Sequence, residues 1–330
     1  MKTKQFTEKE IKQAVDLIQA GELVAFPTDT VYGLGADATN EAAVEKVFTA
    51  KGRPKNRPIN VLISQPEDIL NYTKNTTDEA MALAKAFWPG PFTLILESAG
   101  QLSPIITAGK DTVGLRIPEN DIALQFIEAC GVPLATPSAN SSGRPSPTNA
   151  RHVWDDLNGK IAGIIDGGPT AYGIESTILD FSNPDHPIIL RPGNISKEAI
   201  EEVLGRSIEE LTSEDSEKPT KDEKHYEPQI PVFIVESSWE EAIEQLKSKN
   251  ETIGILANQA IIEQFEMEVG TTFSLGEPGD IELANRQLFH GLRTLEKSQA
   301  TVILAESFEK TGQGFPFMNR LESAAKNKKL

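Results

Sequence analysis

The sequence predicts a mixed α/β protein in two domains. Short apolar strands alternate with amphipathic helices through its first two-thirds, a polar stretch then interrupts them, and the alternation resumes to the end. The 330 residues exceed the usual size of one domain. A hydrophobic share of 38% and a charged share of 25% suit a chain that buries its core without staples.

From the start, Glu8–Ala20 carries Ile11, Val15 and Ile18 at helical spacing, and Gly21 follows as a C-terminal cap. Leu23–Phe26 reads as a short buried strand stopped by Pro27. Asn40 caps a helix from Glu41 to about Ala50 whose apolar face is Val44, Val47 and Phe48, and Gly52 and Pro54 end it. Strands are expected at Ile59–Ile63, Phe92–Leu96, Val113–Ile117, Val132–Ala135, Ile161–Ile165, Ser176–Asp180 and Ile188–Leu190. Helices are expected at Thr77–Phe87, Ile122–Ala129 and Lys197–Leu204. Together they describe a twisted, open, mixed sheet. From about Ser207 to Lys224 the chain is rich in Glu, Ser, Thr, Asp and Lys and reads as a solvated linker. After Pro231 come strand Val232–Val235, helix Trp239–Leu246, strand Thr252–Leu256, helix Asp280–Leu295, strand Ala300–Leu304 and a last helix near Met318–Lys326. This β-α-β order predicts a smaller, Rossmann-like α/β domain with a parallel sheet. The expected division is 1–206, a linker 207–231, and 232–330.

Charge narrows the function. A formal net charge of −17 argues against broad nucleic-acid binding, so an anionic ligand must find a local cationic site. No apolar run reaches the ~18–20 residues of a membrane span, and Met1-Lys2-Thr3-Lys4-Gln5 leads into a charged helix, so a cytoplasmic location is expected. The single cysteine, Cys130, follows the apolar stretch Ile122–Ala129 and reads as a core thiol.

Several familiar signatures are missing. No glycine-rich loop ends in Gly-Lys-Ser/Thr, and His152, His186, His225 and His290 are too scattered for a structural zinc. Gly33-Leu34-Gly35-Ala36-Asp37-Ala38 has the glycines of a dinucleotide fingerprint without its strand and acidic partner, and reads as a tight turn before the Asn40 cap. The strongest positive feature is Lys51-Gly52-Arg53-Pro54-Lys55-Asn56-Arg57-Pro58. A helix C-terminus attracts one or two cations, but four packed together in an acidic chain point to an anion site. A second feature follows strand Val132–Ala135: the loop Thr136–Thr148 offers small hydroxyl and amide donors where α/β folds bind ligands. The turn Pro27-Thr28-Asp29-Thr30 carries further hydroxyls. Arg116 and Arg191 lie on apolar strands, where each needs an anionic partner, either a buried carboxylate or a ligand. These residues support nucleotide or phosphate binding without specifying a reaction.

Taken together, the stretches Pro27–Gly35, Lys51–Pro54, Trp88–Leu94, Gly114–Pro118, Pro137–Asn140, Glu175–Ile178 and Leu190–Gly193 resemble the threonylcarbamoyl-AMP synthase family, in its long form with an appended C-terminal domain. Met318–Leu321 and Ala324-Ala325 resemble the end of that second domain. The resemblance implies a YrdC-like first domain that holds L-threonine and ATP and forms threonylcarbamoyl-AMP and pyrophosphate from threonine, bicarbonate and ATP. It implies threonine contacts at Thr30, Leu62, Arg116, Thr136 and Ser176, with Arg116 facing the carboxylate. It implies ATP contacts at Lys51, Arg53, Arg57, Thr112, Ser138, Asn140, Ser146, Arg191 and Tyr226. No covalent nucleophile is implied; Lys51 and Arg53 would act by positioning and charge neutralisation, and Mg2+ would be held mainly by the ATP phosphates. The product would pass to the complex that transfers threonylcarbamoyl to tRNA. Two departures stand out. Leu62 replaces a commonly polar residue, and the linker keeps His225-Tyr226 without the usual Gly-Met-containing start, so a lid carrying Tyr226 is expected. The main alternative is an RNA-binding or ribosome-associated factor using Lys51–Arg57, which the overall acidity and the lack of interleaved aromatics disfavour. A carbamoyl-transfer enzyme with a related domain would carry zinc-finger-like cysteines.

Overall fold

The computed structural model describes residues 2–211 and 225–330, in two compact units. The first holds residues 2–142, 147–171 and 175–211; the second holds 143–146, 172–174 and 225–330. Most of the stretch expected to form a linker and lid thus lies outside the described residues.

In the first unit the strands are β1 (Lys4–Phe6), β2 (Val24–Phe26), β3 (Gly33–Asp37), β4 (Val61–Leu62), β5 (Phe92–Glu97), β6 (Thr112–Arg116), β7 (Leu134–Ala135), β8 (Gly163–Ile165), β9 (Thr177–Asp180), β10 (Ile188–Arg191) and β11 (Glu209–Glu210). Among the described residues they form one mixed sheet in the order β1-β8-β2-β3-β7-β4-β6-β5-β9-β10-β11. It combines parallel pairs such as β4 with β6 and antiparallel ones such as β5 with β6.

Alternation of side chains across the pleat builds a core on each face. Val24, Phe26, Leu62 and Leu134 turn to one face, where they pack with Ile11, Val15 and Ile18 of helix Ile11–Gln19 and with Phe126 and Ile127 of helix Asp121–Cys130. Ala25, Val61 and Leu115 turn to the other and join a larger core. Helices Glu41–Lys51, Asp78–Phe87, Ala150–Leu157 and Lys197–Leu204 supply its remaining side. Each of these four helices begins at an Asn, Thr or Ser whose side chain accepts a backbone N–H two or three positions into the helix, as at Asn40 and Thr77.

The second unit is a parallel four-stranded sheet, β12 (Val232–Val235), β13 (Ile253–Ala257), β14 (Thr271–Ser274) and β15 (Val302–Glu306), in the order β12-β15-β13-β14. The segment 143–146, from the first half of the chain, is held in this unit by arginine chemistry. Arg293 donates from Nε (3.1 Å) and from a terminal nitrogen (2.5 Å) to the carbonyl of Pro145, and Arg144 pairs with Glu296.

Three expectations change. Gly33–Asp37 is a strand, antiparallel to β2 and to β7, and not a tight turn. Its glycines hide the alternation by which strands are recognised. Lys4–Phe6, helix Ala150–Leu157, helix Gln259–Phe265 and strand Thr271–Ser274 add elements too short or too weakly apolar to be read from pattern. Glu209–Glu210, in the polar stretch after 206, pairs with β10 through main-chain bonds that need no apolar side chain.

Candidate active site

The first face of the large sheet changes character along its strands. Phe26, Leu62 and Leu134 are apolar and lie under the two helices. Toward the end of β7 and the start of β4 the same face becomes polar. Register places Val61 opposite Ala135 and Leu115, so Asn60 stands between Thr136 and Gly114. Thr136 donates its N–H to the Asn60 carbonyl at 2.8 Å. Beyond Gly114 come Thr93 on β5 and Ser176 just before β9, whose hydroxyls lie 2.8 Å apart. Arg191, at the end of β10, donates from Nε to the Ser176 carbonyl (3.0 Å) and from a terminal nitrogen to its hydroxyl (3.1 Å). A polar row therefore runs across six neighbouring strands, from β7 to β10.

Two glycines make the row possible. A Cβ at Gly33 would collide with the Thr136 methyl, and one at Gly114 would stand 2.7 Å from Asn60 Oδ1 and 3.2 Å from the Thr93 methyl. Only a residue without a side chain lets these groups lie against the backbone.

Arg116 projects from the same face, two residues beyond Gly114. Its guanidinium donates to the Gly90 carbonyl (2.9 Å), to Thr30 Oγ1 (2.9 Å) and to Asp29 Oδ1. The buried carboxylate anticipated as one possible partner is thus Asp29. Both side chains are almost fully enclosed, at 7% and 1% exposure, yet Asp29 Oδ2 has no hydrogen-bond partner. The guanidinium has five N–H donors; these bonds use three, leaving two. Thr28 shapes the loop, donating to the Val31 carbonyl at 2.7 Å and accepting from the Thr30 N–H at 3.2 Å. Tyr32 anchors its far end: its hydroxyl donates to the Gly168 carbonyl (2.7 Å) and accepts from the Gly167 N–H (3.2 Å), and burial pushes its phenol well above the usual range.

The cationic loop meets the Ser-x-Asn loop through Lys51. This residue ends helix Glu41–Lys51 and is 4% exposed. Its ammonium donates to the carbonyls of Ser138 and of Asn140 (2.6 Å for the latter), while its own carbonyl accepts the Ser142 N–H at 2.8 Å. Arg53 donates to the Pro58 carbonyl at 2.9 Å, closing the loop on itself. Arg57 is half-buried in the same loop, and Thr112 is half-buried at the start of β6. Ser146 and Tyr226 belong to the second unit, where the Tyr226 ring packs on Phe289 with centroids 5.1 Å apart. Leu62 faces the apolar cluster of Phe26, Phe126 and Leu134. Lys55 pairs instead with Glu45 at the surface.

Thr30, Thr136, Ser176, Arg116 and Arg191 are therefore brought to one sheet face. Three members of this face were missed from sequence: Asp29, Asn60 and Thr93. Asn60 and Thr93 are polar residues inside strands otherwise read as apolar, and that mismatch was the available sign. Among the described residues no three His, Cys, Asp or Glu side chains group to hold a metal, and no helix is long and apolar enough to cross a membrane.

Known proteins match this chain end to end. A family model described as "Telomere recombination" matches residues 16–193, and one described as "Threonylcarbamoyl-AMP synthase, C-terminal domain" matches residues 195–326. A threonylcarbamoyl-AMP synthase of Bacillus subtilis is 42% identical over 326 residues, covering 96% of this chain and 93% of that one. One of Pyrococcus abyssi is 40% identical over 330 residues, covering 96% and 94%. The crystal structure of P. abyssi Sua5 complexed with L-threonine superposes with a TM-score of 0.89 at 38% identity, covering 100% of this chain and 99% of that one. With both family models matched in order and relatives aligned over nearly their whole length, the chain belongs to the threonylcarbamoyl-AMP synthase family.

Proposed function

We propose that this chain is an L-threonylcarbamoyladenylate synthase, a nucleotidyltransferase that converts L-threonine, bicarbonate and ATP into threonylcarbamoyl-AMP and pyrophosphate. The observation that carries this reading is full-length similarity to proteins bearing that name, combined with a polar row that links Arg116 to the Lys51 loop. Arg116 and its neighbours Thr30, Thr136 and Ser176 receive threonine, whose carboxylate takes the two remaining guanidinium donors. That a similar protein was crystallised with L-threonine supports this assignment. Lys51, Arg53, Arg57, Thr112, Ser138, Asn140 and Arg191 receive the nucleotide.

The neutral amine of threonine adds to CO2 drawn from bicarbonate. A C–N bond forms, the nitrogen loses a proton to solvent, and a carbamate results. A carbamate oxygen then attacks the α-phosphorus of ATP while the bond to the departing pyrophosphate breaks. Such a transfer needs aligned reactants and fixed positive charge, and no covalent nucleophile. Magnesium enters this reading as a companion of the triphosphate: the described residues offer it no cage of their own, so phosphate and water oxygens would hold it and offset phosphate charge. The enzyme would work in the cytoplasm, upstream of the complex that modifies tRNA.

Pyrophosphate release by the purified chain tests the reading. Release should require ATP, threonine and bicarbonate together. Release that persists without threonine or without bicarbonate, or none with all three, would overturn it.

A further inference from the structure

Asn60 is not among the groups assigned to either substrate, and its position is unusual. It precedes β4, which lies between β7 and β6 in the sheet. On the β7 side stand Thr136 and, two residues on, Ser138, whose carbonyl holds Lys51. On the β6 side stand Gly114 and, two residues on, Arg116. Two residues of strand span about 6.6 Å. The carboxamide lies across Gly114, where a Cβ would meet its oxygen at 2.7 Å. It is half-buried, and among the described residues its side chain makes no hydrogen bond. A half-buried amide held against the backbone, with its donors and acceptor unused, is suited to a ligand.

The proposed reaction says which part of the ligand lies there. The carbamoyl group is the covalent bridge between threonine and the α-phosphate, so it must sit between the Arg116 side and the Lys51 side. Asn60 occupies that middle strand. A carbamate presents two carboxyl oxygens that accept and one N–H that donates. A primary carboxamide presents two N–H groups and one oxygen, so it can serve both edges while adding no charge. A carboxylate here would repel the carbamate, and an aliphatic side chain would leave it without partners. Resting on the function proposed above, we infer that the Asn60 carboxamide contacts the carbamate formed on the threonine nitrogen and holds it in line for attack on the α-phosphorus.

The test is the bicarbonate dependence of pyrophosphate release by Asn60→Ala and Asn60→Asp, with ATP and threonine saturating. Loss of one or two hydrogen bonds should lower kcat/KM for bicarbonate about tenfold or more in Asn60→Ala. Asn60→Asp, nearly the same shape but anionic, should fall further. The KM for ATP should stay within about twofold, and so should threonine affinity by calorimetry without ATP, because the carbamate is absent there. If both variants keep the parent's bicarbonate dependence, the inference fails. It fails equally if ATP and threonine affinities drop by the same factor as bicarbonate, which marks a purely structural role. Should Asn60→Ala melt early, Asn60→Asp at matched melting temperature decides the matter. A parent protein that releases no pyrophosphate with all three substrates sinks the proposed function itself, an outcome distinct from an active parent with unaffected variants.

Discussion

Each unit contains a deeply buried ion pair, and the two are built differently. In the second unit Glu296, at 1% exposure, uses both oxygens: Arg144 binds them as a fork, at 2.8 Å for one contact, and the Gln229 N–H adds a bond at 2.9 Å. In the first unit Asp29 is as buried, but only one of its oxygens meets Arg116 and the other has no partner. A buried carboxylate oxygen without a hydrogen bond is costly, and its retention needs a reason. The Glu296 pair is complete and fastens chain segments; the Asp29 pair keeps unused donors beside a row of hydroxyls. Completeness distinguishes scaffold from site more clearly than burial does, because the two carboxylates are equally enclosed.

The largest effect expected is that of Asp29→Ala, which strands an enclosed guanidinium. Stability should fall by about 3–5 kcal/mol, read as a drop in the urea midpoint, and a loss below about 1 kcal/mol would erase the contrast. Glu296→Ala comes next. Arg144 is 19% exposed and can turn to water, so the cost should stay near ~1–3 kcal/mol; a cost above that of Asp29→Ala would reverse the ranking. The smallest effect is a reporter of which unit has opened. Cys130, the one cysteine of the chain, belongs to the first unit, and burial, aided by the charge of Asp37, pushes its thiol up to about 12. At about pH 8 only about one thiol in 10⁴ is ionised, and labelling accelerates as pH rises toward that value. Alkylation under those conditions should therefore track opening of the first unit, faster in Asp29→Ala and unchanged in Glu296→Ala.

Much of this was legible in the chain, and the failures have a common cause. Strands that bury both faces, such as Leu23–Phe26, announce themselves by continuous apolar runs, and helices capped by Asn40 or Ser196 carry their own punctuation. The parallel sheet of the second unit followed from its β-α-β order. Gly33–Asp37 reads as a turn and not as a strand because it lacks side chains where Thr136 needs room, a requirement set by a residue about a hundred positions away. Arg116 was visible as a charge on an apolar strand, whereas its partner Asp29 was hidden among hydroxyl residues in a turn. Asn60 reads from sequence only as part of the strand Ile59–Ile63. Pattern reading averages over a segment; a site is made of the residues that depart from the average.

Lys51 carries one such departure into kinetics. Its ammonium ties the end of a helix to the main chain of Ser138 and Asn140, and Thr136 stands just upstream in the same loop. Replacing or acetylating this lysine therefore removes a charge and also unlatches the neighbouring turn. The kinetic defect of any such variant is a composite. Its mechanical part will surface as weaker threonine uptake measured with no nucleotide present, when phosphate attraction has nothing to act on.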